Sequence, residues 1–221
     1  MNSKINNNEL EHRCRLYLIT PPKIILSKFK DDLAAALDGG DIACVQLRLP
    51  GAKTDEILQA AEILAPIVQE RNVAFLLNDN PELAAKVGCD GVHIGQQDVA
   101  YERAREIVGA KAIVGVTCHD KRYLAIEAAE KGCDYVAFGA FFHSQTKKTI
   151  NHPEVEILKI WSTMTKVPCV AIGGISHANC TPLIEAGADF LAVISAVWDY
   201  EQGPSASVEL FNKIINKNSS S

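Results

Sequence analysis

This 221-residue sequence lacks long apolar runs and any apolar segment of a secretory signal. Its hydrophobic residues, 48% of the total, fall in short runs separated by charges, and none approaches the roughly 20 residues that span a bilayer. The first residues, Met1 to Leu10, are polar and rich in asparagine. We therefore expect a soluble chain without a membrane partner, with a disordered lead-in at 1–14 and a disordered tail at 218–221.

An excess of positive charge is also missing. Lysine and arginine together number 22 against 27 acidic residues, which gives a net charge of −5 and a pI near 5.7. No long basic run compensates locally, so the sequence offers no electrostatic footprint for nucleic acid. Nucleic acid is not an expected partner.

Paired cysteine motifs are absent as well. The seven cysteines are an odd number and contain no C-x-x-C pair, which is typical of a protein of the reducing cytoplasm. Cys44 and Cys169 lie in apolar runs and are expected to pack in the core. Cys118 and His119 are adjacent and would point to opposite faces of a strand, so a zinc site is not predicted.

What the sequence does contain is a regular alternation. Eight short apolar runs alternate with segments of helical spacing, and this pattern predicts an α/β fold, a single-domain (β/α)₈ TIM barrel over residues 15–217. A doubly wound sheet is the alternative, although no G-x-G-x-x-G turn follows the first strand. A repeated motif supports the barrel: a glycine ends a helix, and an aspartate two residues later begins a strand. The motif occurs at Gly39-Gly40-Asp41, Gly88-Cys89-Asp90, Gly132-Cys133-Asp134 and Gly187-Ala188-Asp189.

Polar residues follow the predicted strands, and in a barrel the carboxyl ends of the strands surround the active site. These residues are Arg48, Asn78, Asp79, Asp98, Thr117, the run from Ser144 to Lys147, Gly173-Gly174 and Ser195. Asp79 and Asp98, with Asn78 beside them, suit a hard cation such as Mg²⁺. Loop residues or helix caps remain the alternative reading of both aspartates.

A second set of these residues indicates phosphate binding. Gly173-Gly174 and Ser195 follow the seventh and eighth strands, where such barrels commonly hold a phosphate on backbone N–H groups. Arg48 and Lys147 add cations to a mouth that contains two carboxylates, which favours a metal-bridged diphosphate. Together the two subsites predict a transferase that joins two phosphorylated small molecules.

The ordered motifs resemble those of the thiamine-phosphate synthase family, also called thiamine-phosphate pyrophosphorylase. They cover residues from Leu16 to Ala196 and are Val45-Gln46-Leu47-Arg48, Leu77-Asn78-Asp79, Gly91 to Asp98, Asp134 to Gly139, Thr146-Lys147, Ala171 to Ile175 and Ala192 to Ala196. The resemblance implies a TIM barrel that joins 4-amino-2-methyl-5-hydroxymethylpyrimidine diphosphate to 4-methyl-5-(2-phosphooxyethyl)thiazole and releases diphosphate. It also suggests a homo-oligomer.

The resemblance assigns roles by position. Asp79 and Asp98 would bind Mg²⁺. The diphosphate would be held by Arg48, Asn78 and Lys147, and Gln46 would face the pyrimidine. The thiazole phosphate would be held by Gly174, Ser195 and the segment from Ser144 to Thr146. Thr117 and Ile194 complete the implied substrate contacts, and Arg48, Thr117 and Lys147 are the implied catalytic residues. The family chemistry resembles an SN1 process, which needs leaving-group stabilisation more than a general base.

Departures from the family pattern leave alternatives open. Leu49-Pro50 stands where the family usually has Glu-Lys, and Lys53 is the nearest substitute for the missing lysine. A related thiazole tautomerase would carry a histidine where this chain has Ala140, although His143 lies three residues on. A non-catalytic protein that binds thiazole phosphate is the third reading. His93, in the fourth strand, is expected to be a buried, hydrogen-bonded histidine.

Overall fold

The computed structural model describes residues 14–143 and 152–219, and within them the predicted (β/α)₈ barrel is confirmed. Eight parallel strands pair in chain order and close into a barrel. The strands are β1 (Arg15–Ile19), β2 (Ile42–Leu47), β3 (Ala74–Asn78), β4 (Gly91–Ile94), β5 (Ile113–His119), β6 (Tyr135–Gly139), β7 (Cys169–Ile172) and β8 (Phe190–Val193).

Helices connect the strands on the outside of the barrel. They are α1 (Leu26–Asp38), α2 (Thr54–Gln69), α3 (Pro81–Val87), α4 (Tyr101–Val108), α5 (Arg122–Glu130), α6 (Glu156–Met164), α7 (Thr181–Glu185), α8 (Ser195–Trp198) and α9 (Pro204–Ser219). The short helix α8 directly follows β8 and was not predicted from the sequence.

Alternation along the strands sorts the core into two layers. Successive side chains of a strand point to opposite faces, so one set fills the barrel and the other packs under the helices. The interior set includes Tyr17, Cys44 and Leu76, whereas Leu16 and Val45 belong to the larger outer set. Cys44 and Cys169 are both buried, which confirms their predicted packing in the core.

The repeated aspartates clamp pairs of strands at the amino-terminal end of the barrel. Each of three of them stands just before an even-numbered strand and accepts the N–H of a residue in the preceding strand. The three bonds are Phe75 to Asp90 (2.7 Å), Val114 to Asp134 (2.7 Å) and Cys169 to Asp189 (2.8 Å). In the first repeat the carboxylate of Asp41 pairs with Arg15 instead, at 2.6 Å. These residues hold the barrel at the face opposite the mouth.

The leading glycines of the repeated motif differ in their backbone φ angles. Gly88, Gly132 and Gly187 have positive φ values of 70°, 91° and 91°, as a left-handed helix stop requires. The same expectation is wrong for Gly39, which has φ −77°; Gly40 makes the turn with φ 153°. A Cβ on Gly39 would press against the backbone of Ser205, so this glycine is required by close packing.

Several predicted ends also differ from the structure. The residue type of Thr54 predicts a helix cap, but Thr54 is the first residue of α2. Lys53 is the N-cap, and its N–H donates to the Glu56 carboxylate at 2.7 Å. Helix α9 extends to Ser219 and so overlaps the expected tail at 218–221. Cys14, expected in the lead-in, is buried, whereas the rest of that lead-in lies outside the described residues. No helix among the described residues is both long and apolar enough to cross a membrane.

Candidate active site

The predicted site residues of the first half of the barrel lie along one arc of the rim. Arg48 directly follows β2, Asn78 ends β3, Asp98 follows β4 and Thr117 lies near the end of β5. These four strands are neighbours in the barrel. The carboxyl ends of adjacent parallel strands meet at one edge, so these four residues lie along one side of the barrel mouth.

Asp79 turns the chain at the end of β3. Its φ is 65°, in the left-handed region that aspartate tolerates better than most residues, and its N–H donates to the carbonyl of His93 at 2.7 Å. The cap of α3 is the next residue, Asn80, whose side chain accepts the N–H of Leu83 at 2.8 Å. Asp79 is therefore not a helix cap. It is an exposed residue at the rim.

Asp98 closes the loop between β4 and α4. Its Oδ2 accepts the N–H of Gly95 at 2.7 Å, and its own N–H donates to the Gly95 carbonyl at 3.3 Å. The N-cap of α4 is Ala100, so Asp98 does not cap that helix either. The side chain is exposed, and its conformation is fixed by its own loop.

A chain of hydrogen bonds crosses the barrel beneath the mouth. The hydroxyls of Tyr17 and Tyr135 lie 2.8 Å apart, the Tyr135 hydroxyl lies 2.8 Å from Nδ1 of His93, and Nε2 of His93 lies 2.7 Å from the Thr117 hydroxyl. The first three residues are buried, and Thr117 is half-buried. The expectation of a buried, hydrogen-bonded His93 is confirmed.

Burial keeps His93 neutral. It lowers the pKa of His93 from 6.5 to about 4, and smaller effects come from the Asp98 carboxylate, which raises the pKa, and from the Arg48 guanidinium, which lowers it. Two predicted site residues bond directly to His93: Thr117 through its hydroxyl and Asp79 through its backbone N–H.

Gln46 faces the interior of the barrel. It is 2% exposed and shares a face of β2 with Cys44, which belongs to the interior cluster. Its place below the rim is compatible with a contact to a ring that enters the mouth.

The two glycines after β7 form a tight backbone site. Gly173 has φ 106° and Gly174 has φ 62°, and a Cβ on Gly174 would collide with the carbonyl oxygen of His143. The Gly173 carbonyl accepts the N–H of Phe142 at 3.0 Å, and the Gly174 carbonyl accepts Nδ2 of Asn179 at 3.0 Å. The loop is therefore held from both sides in a conformation that favours glycine.

Ser195 begins α8 directly after Ile194, on the strand that neighbours β7. Two side chains fix this helix: Trp198 donates Nε1–H to the Ile19 carbonyl at 2.7 Å, and the hydroxyl of Ser207 donates to the Ala196 carbonyl at 2.7 Å. Gly174 and the exposed Ser195 thus follow adjacent strands, on the side of the rim opposite β3 and β4, which are followed by the aspartates.

Three predicted residues, Ser144, Thr146 and Lys147, lie outside the described residues. The residues that flank this segment are described. The rings of His143 and His152 contact each other with centroids 4.8 Å apart, and Nδ1 of His152 donates to the Ala140 carbonyl at 2.9 Å. Lys53 is exposed at the start of α2.

The family model described as thiamine monophosphate synthase matches residues 16–197. The chain belongs to the thiamine monophosphate synthase family.

Individual members resemble the chain over nearly its whole length. A thiamine-phosphate synthase from Rhodospirillum centenum is 58% identical over 202 residues, which cover 91% of this chain and 98% of the relative. One from Hyphomonas neptunium is 46% identical over 92% of this chain and 94% of the relative. Among solved structures, a thiamine phosphate pyrophosphorylase from Pyrococcus furiosus superposes with a TM-score of 0.82 at 30% identity, covering 95% of this chain and 98% of that one.

In this thiamine monophosphate synthase barrel, Tyr17 and Tyr135 are not among the residues that the sequence predicts for the site. Both lie in apolar runs and read as ordinary strand residues. The available signal was the alternation: in each run the tyrosine shares a face with residues that point into the barrel, where a hydroxyl needs a partner.

The residues of this thiamine monophosphate synthase rim fit a magnesium ion as partial ligands. Asp79 and Asp98 offer exposed carboxylates from adjacent strands, and carboxylate oxygens are what Mg²⁺ prefers. Within residues 14–143 and 152–219, no group of three or more acidic, histidine or cysteine side chains could hold a metal ion alone. The remaining ligands would therefore have to be substrate phosphate oxygens and water, the usual arrangement for Mg²⁺.

Proposed function

We propose that the chain joins 4-amino-2-methyl-5-hydroxymethylpyrimidine diphosphate to 4-methyl-5-(2-phosphooxyethyl)thiazole, as a transferase that releases diphosphate and forms thiamine phosphate. The observation that carries the proposal is the placement of Arg48, Asn78, Asp98 and Thr117 at the ends of four neighbouring strands in a barrel of this family. The relatives named above carry the same activity in their names.

The proposed mechanism depends on stabilising a leaving group. Arg48, Asn78 and Lys147 bind the departing diphosphate, and their charges and hydrogen bonds strengthen as negative charge develops on it. When bound, Mg²⁺ neutralises diphosphate charge; Asp79 and Asp98 would hold it. Loss of diphosphate leaves a pyrimidine-methyl cation, to which the thiazole nitrogen donates its lone pair to form the new C–N bond.

The pyrimidine is proposed to enter the barrel above the buried hydrogen-bond chain. Gln46 faces it from β2, and Thr117 contacts the substrate through a hydroxyl that His93 orients from below. A positively charged imidazole would repel the forming cation. A neutral His93 avoids this repulsion. This is the physical reason for proposing that the imidazole acts through Thr117 and not as an acid.

The thiazole phosphate is proposed to bind at Gly174 and Ser195, with Ile194 beside them. The segment from Ser144 to Thr146, which lies outside the described residues, is proposed to contribute further contacts. Glycine permits close approach of a phosphate to the backbone, and Ser195 adds an N–H and a hydroxyl. The two subsites would place the thiazole opposite the leaving diphosphate.

Two further properties are part of the proposal. The unpaired state of the seven cysteines, all described and all free, supports action in the cytoplasm. A homo-oligomer is proposed from the family resemblance alone.

Release of diphosphate from the two substrates with Mg²⁺ tests the activity. A thiazole tautomerase would turn over without a diphosphate substrate, and a binding protein would release nothing. The names of the relatives favour the synthase over both alternatives.

A further inference from the structure

The loop between β4 and α4, residues 95–100, lies over a cleft. This cleft has a volume of about 250 Å³ and separates the loop from α5, with Gly95, Gln96 and Asp98 on one wall and Leu124 and Ala128 on the other. The underside of the loop is therefore not filled by side chains. Hydrogen bonds must therefore contribute much of the stability of the loop that carries Asp98.

One of those contacts reaches across to β5. Nε2 of Gln96 donates to the carbonyl of Thr117 at 2.7 Å, a short bond for an amide and a carbonyl. The last residues paired between β4 and β5 are Ile94 and Val116, so Thr117 lies one residue past the ladder. The Gln96 side chain thus adds a rung where the backbone ladder has ended.

Thr117 is held from β4 at two atoms. His93, within β4, contacts its hydroxyl at 2.7 Å, and Gln96, in the loop that follows, binds its carbonyl. Since the same loop is closed by the bond from Gly95 to Asp98, Gln96 links the loop of one proposed metal ligand to a proposed substrate contact.

We propose that Gln96 is a positioning residue, whose amide fixes the loop of residues 95–98 against Thr117 and so sets where the Asp98 carboxylate stands at the rim. The inference rests on the function proposed above. Gln97 is the natural control, because it is equally exposed and has no side-chain hydrogen bond to any other described residue.

The test compares Gln96→Met, which keeps the length of the side chain and removes the donor, with Gln96→Lys, which restores a donor, and with Gln97→Met. Two quantities are measured: the Mg²⁺ concentration at half-maximal activity, and the hydrogen-exchange rate of the Gly95 amide in the protein without ligands. Gln96→Met should raise both about fivefold, the equivalent of about 1 kcal/mol for one lost hydrogen bond. The KM for the thiazole phosphate should not change.

Gln96→Lys should restore the native Gly95 exchange rate, and Gln97→Met should behave as the native protein in both measurements. Native values for Gln96→Met, equal changes in Gln97→Met, or a parallel rise in the KM for the thiazole phosphate would each overturn the inference. A native protein that releases no diphosphate would refute the proposed function, whereas the Gly95 exchange rate would still decide whether Gln96 orders the loop.

Discussion

The backbone N–H of Asp79 donates to the carbonyl of His93 at 2.7 Å, and this bond ties the end of β3 to β4 at the rim. It holds Asp79 in the left-handed backbone conformation, beside the strand that leads to Asp98. Asp79 is therefore positioned by β4, the strand whose following loop carries Asp98.

Asp79→Asn and Asp98→Asn should each lower kcat by on the order of 100-fold or more, because the diphosphate would leave without its metal. Asparagine tolerates the left-handed conformation at position 79, so the fold should be kept. Diphosphate release measured over a range of Mg²⁺ concentrations checks this, with Asp31→Asn, an exposed change on α1, as the control. Full activity of either variant would rule out the metal assignment.

Gly174→Ala should raise the KM for the thiazole phosphate at least tenfold and leave the KM for the pyrimidine diphosphate nearly unchanged. The added Cβ would collide with the His143 carbonyl and disturb the backbone that is proposed to bind phosphate. Gly203→Ala is the matched control, since Gly203 also has positive φ, 89°, but faces open space. Equal effects on both substrates would contradict the division into two subsites.

His93 should make stability depend on pH. Its folded pKa of about 4 lies below the ordinary 6.5, so between these values the unfolded chain binds a proton that the folded chain does not. The free energy of unfolding should therefore fall as the pH drops from 6.5 to 4, by up to about 3 kcal/mol, and this contribution should be fully present above pH 6.5.

Urea unfolding between pH 4 and 8 measures this dependence. His93→Gln should flatten the curve in that window. An unchanged slope in His93→Gln would mean that other groups set the acid stability.

Lys53→Ala should raise the KM for the pyrimidine diphosphate roughly 5- to 150-fold if Lys53 replaces the lysine that Pro50 displaces, the range for a charge-assisted contact. Its side chain is exposed at the start of α2, directly after the loop that follows Arg48, so its stem can extend toward the rim. Lys30→Ala on α1 serves as the control for loss of charge. Unaltered kinetics would show that Arg48, Lys147 and the metal suffice.

The sequence predicted the barrel and the arc of polar residues because both depend on periodic signals. The sequence shows where the apolar strands end, at Arg48 and at Asn78. Because the strands of a barrel are parallel and adjacent, these ends could be placed at one rim without any measured distance. The sequence could not predict the bond from Gln96 to Thr117 or the buried contact of Tyr17 with Tyr135, since these depend on strand register and on which face a polar residue takes.

Local geometry explains the errors as well. Thr54 looked like a helix cap by residue type, but the turn that closes at Ala52 starts the helix one residue early and makes Lys53 the cap. Apolar spacing predicts the last helix near Ser207 to Ile215, whereas α9 starts at Pro204, directly after the positive-φ turn at Gly203.

The most direct test of the central claim is diphosphate release by the native protein supplied with the pyrimidine diphosphate, the thiazole phosphate and Mg²⁺. We predict stoichiometric formation of diphosphate and thiamine phosphate, which excess chelator or omission of the pyrimidine substrate should abolish. Turnover of the thiazole substrate alone, or binding of it without any diphosphate release, would contradict the account.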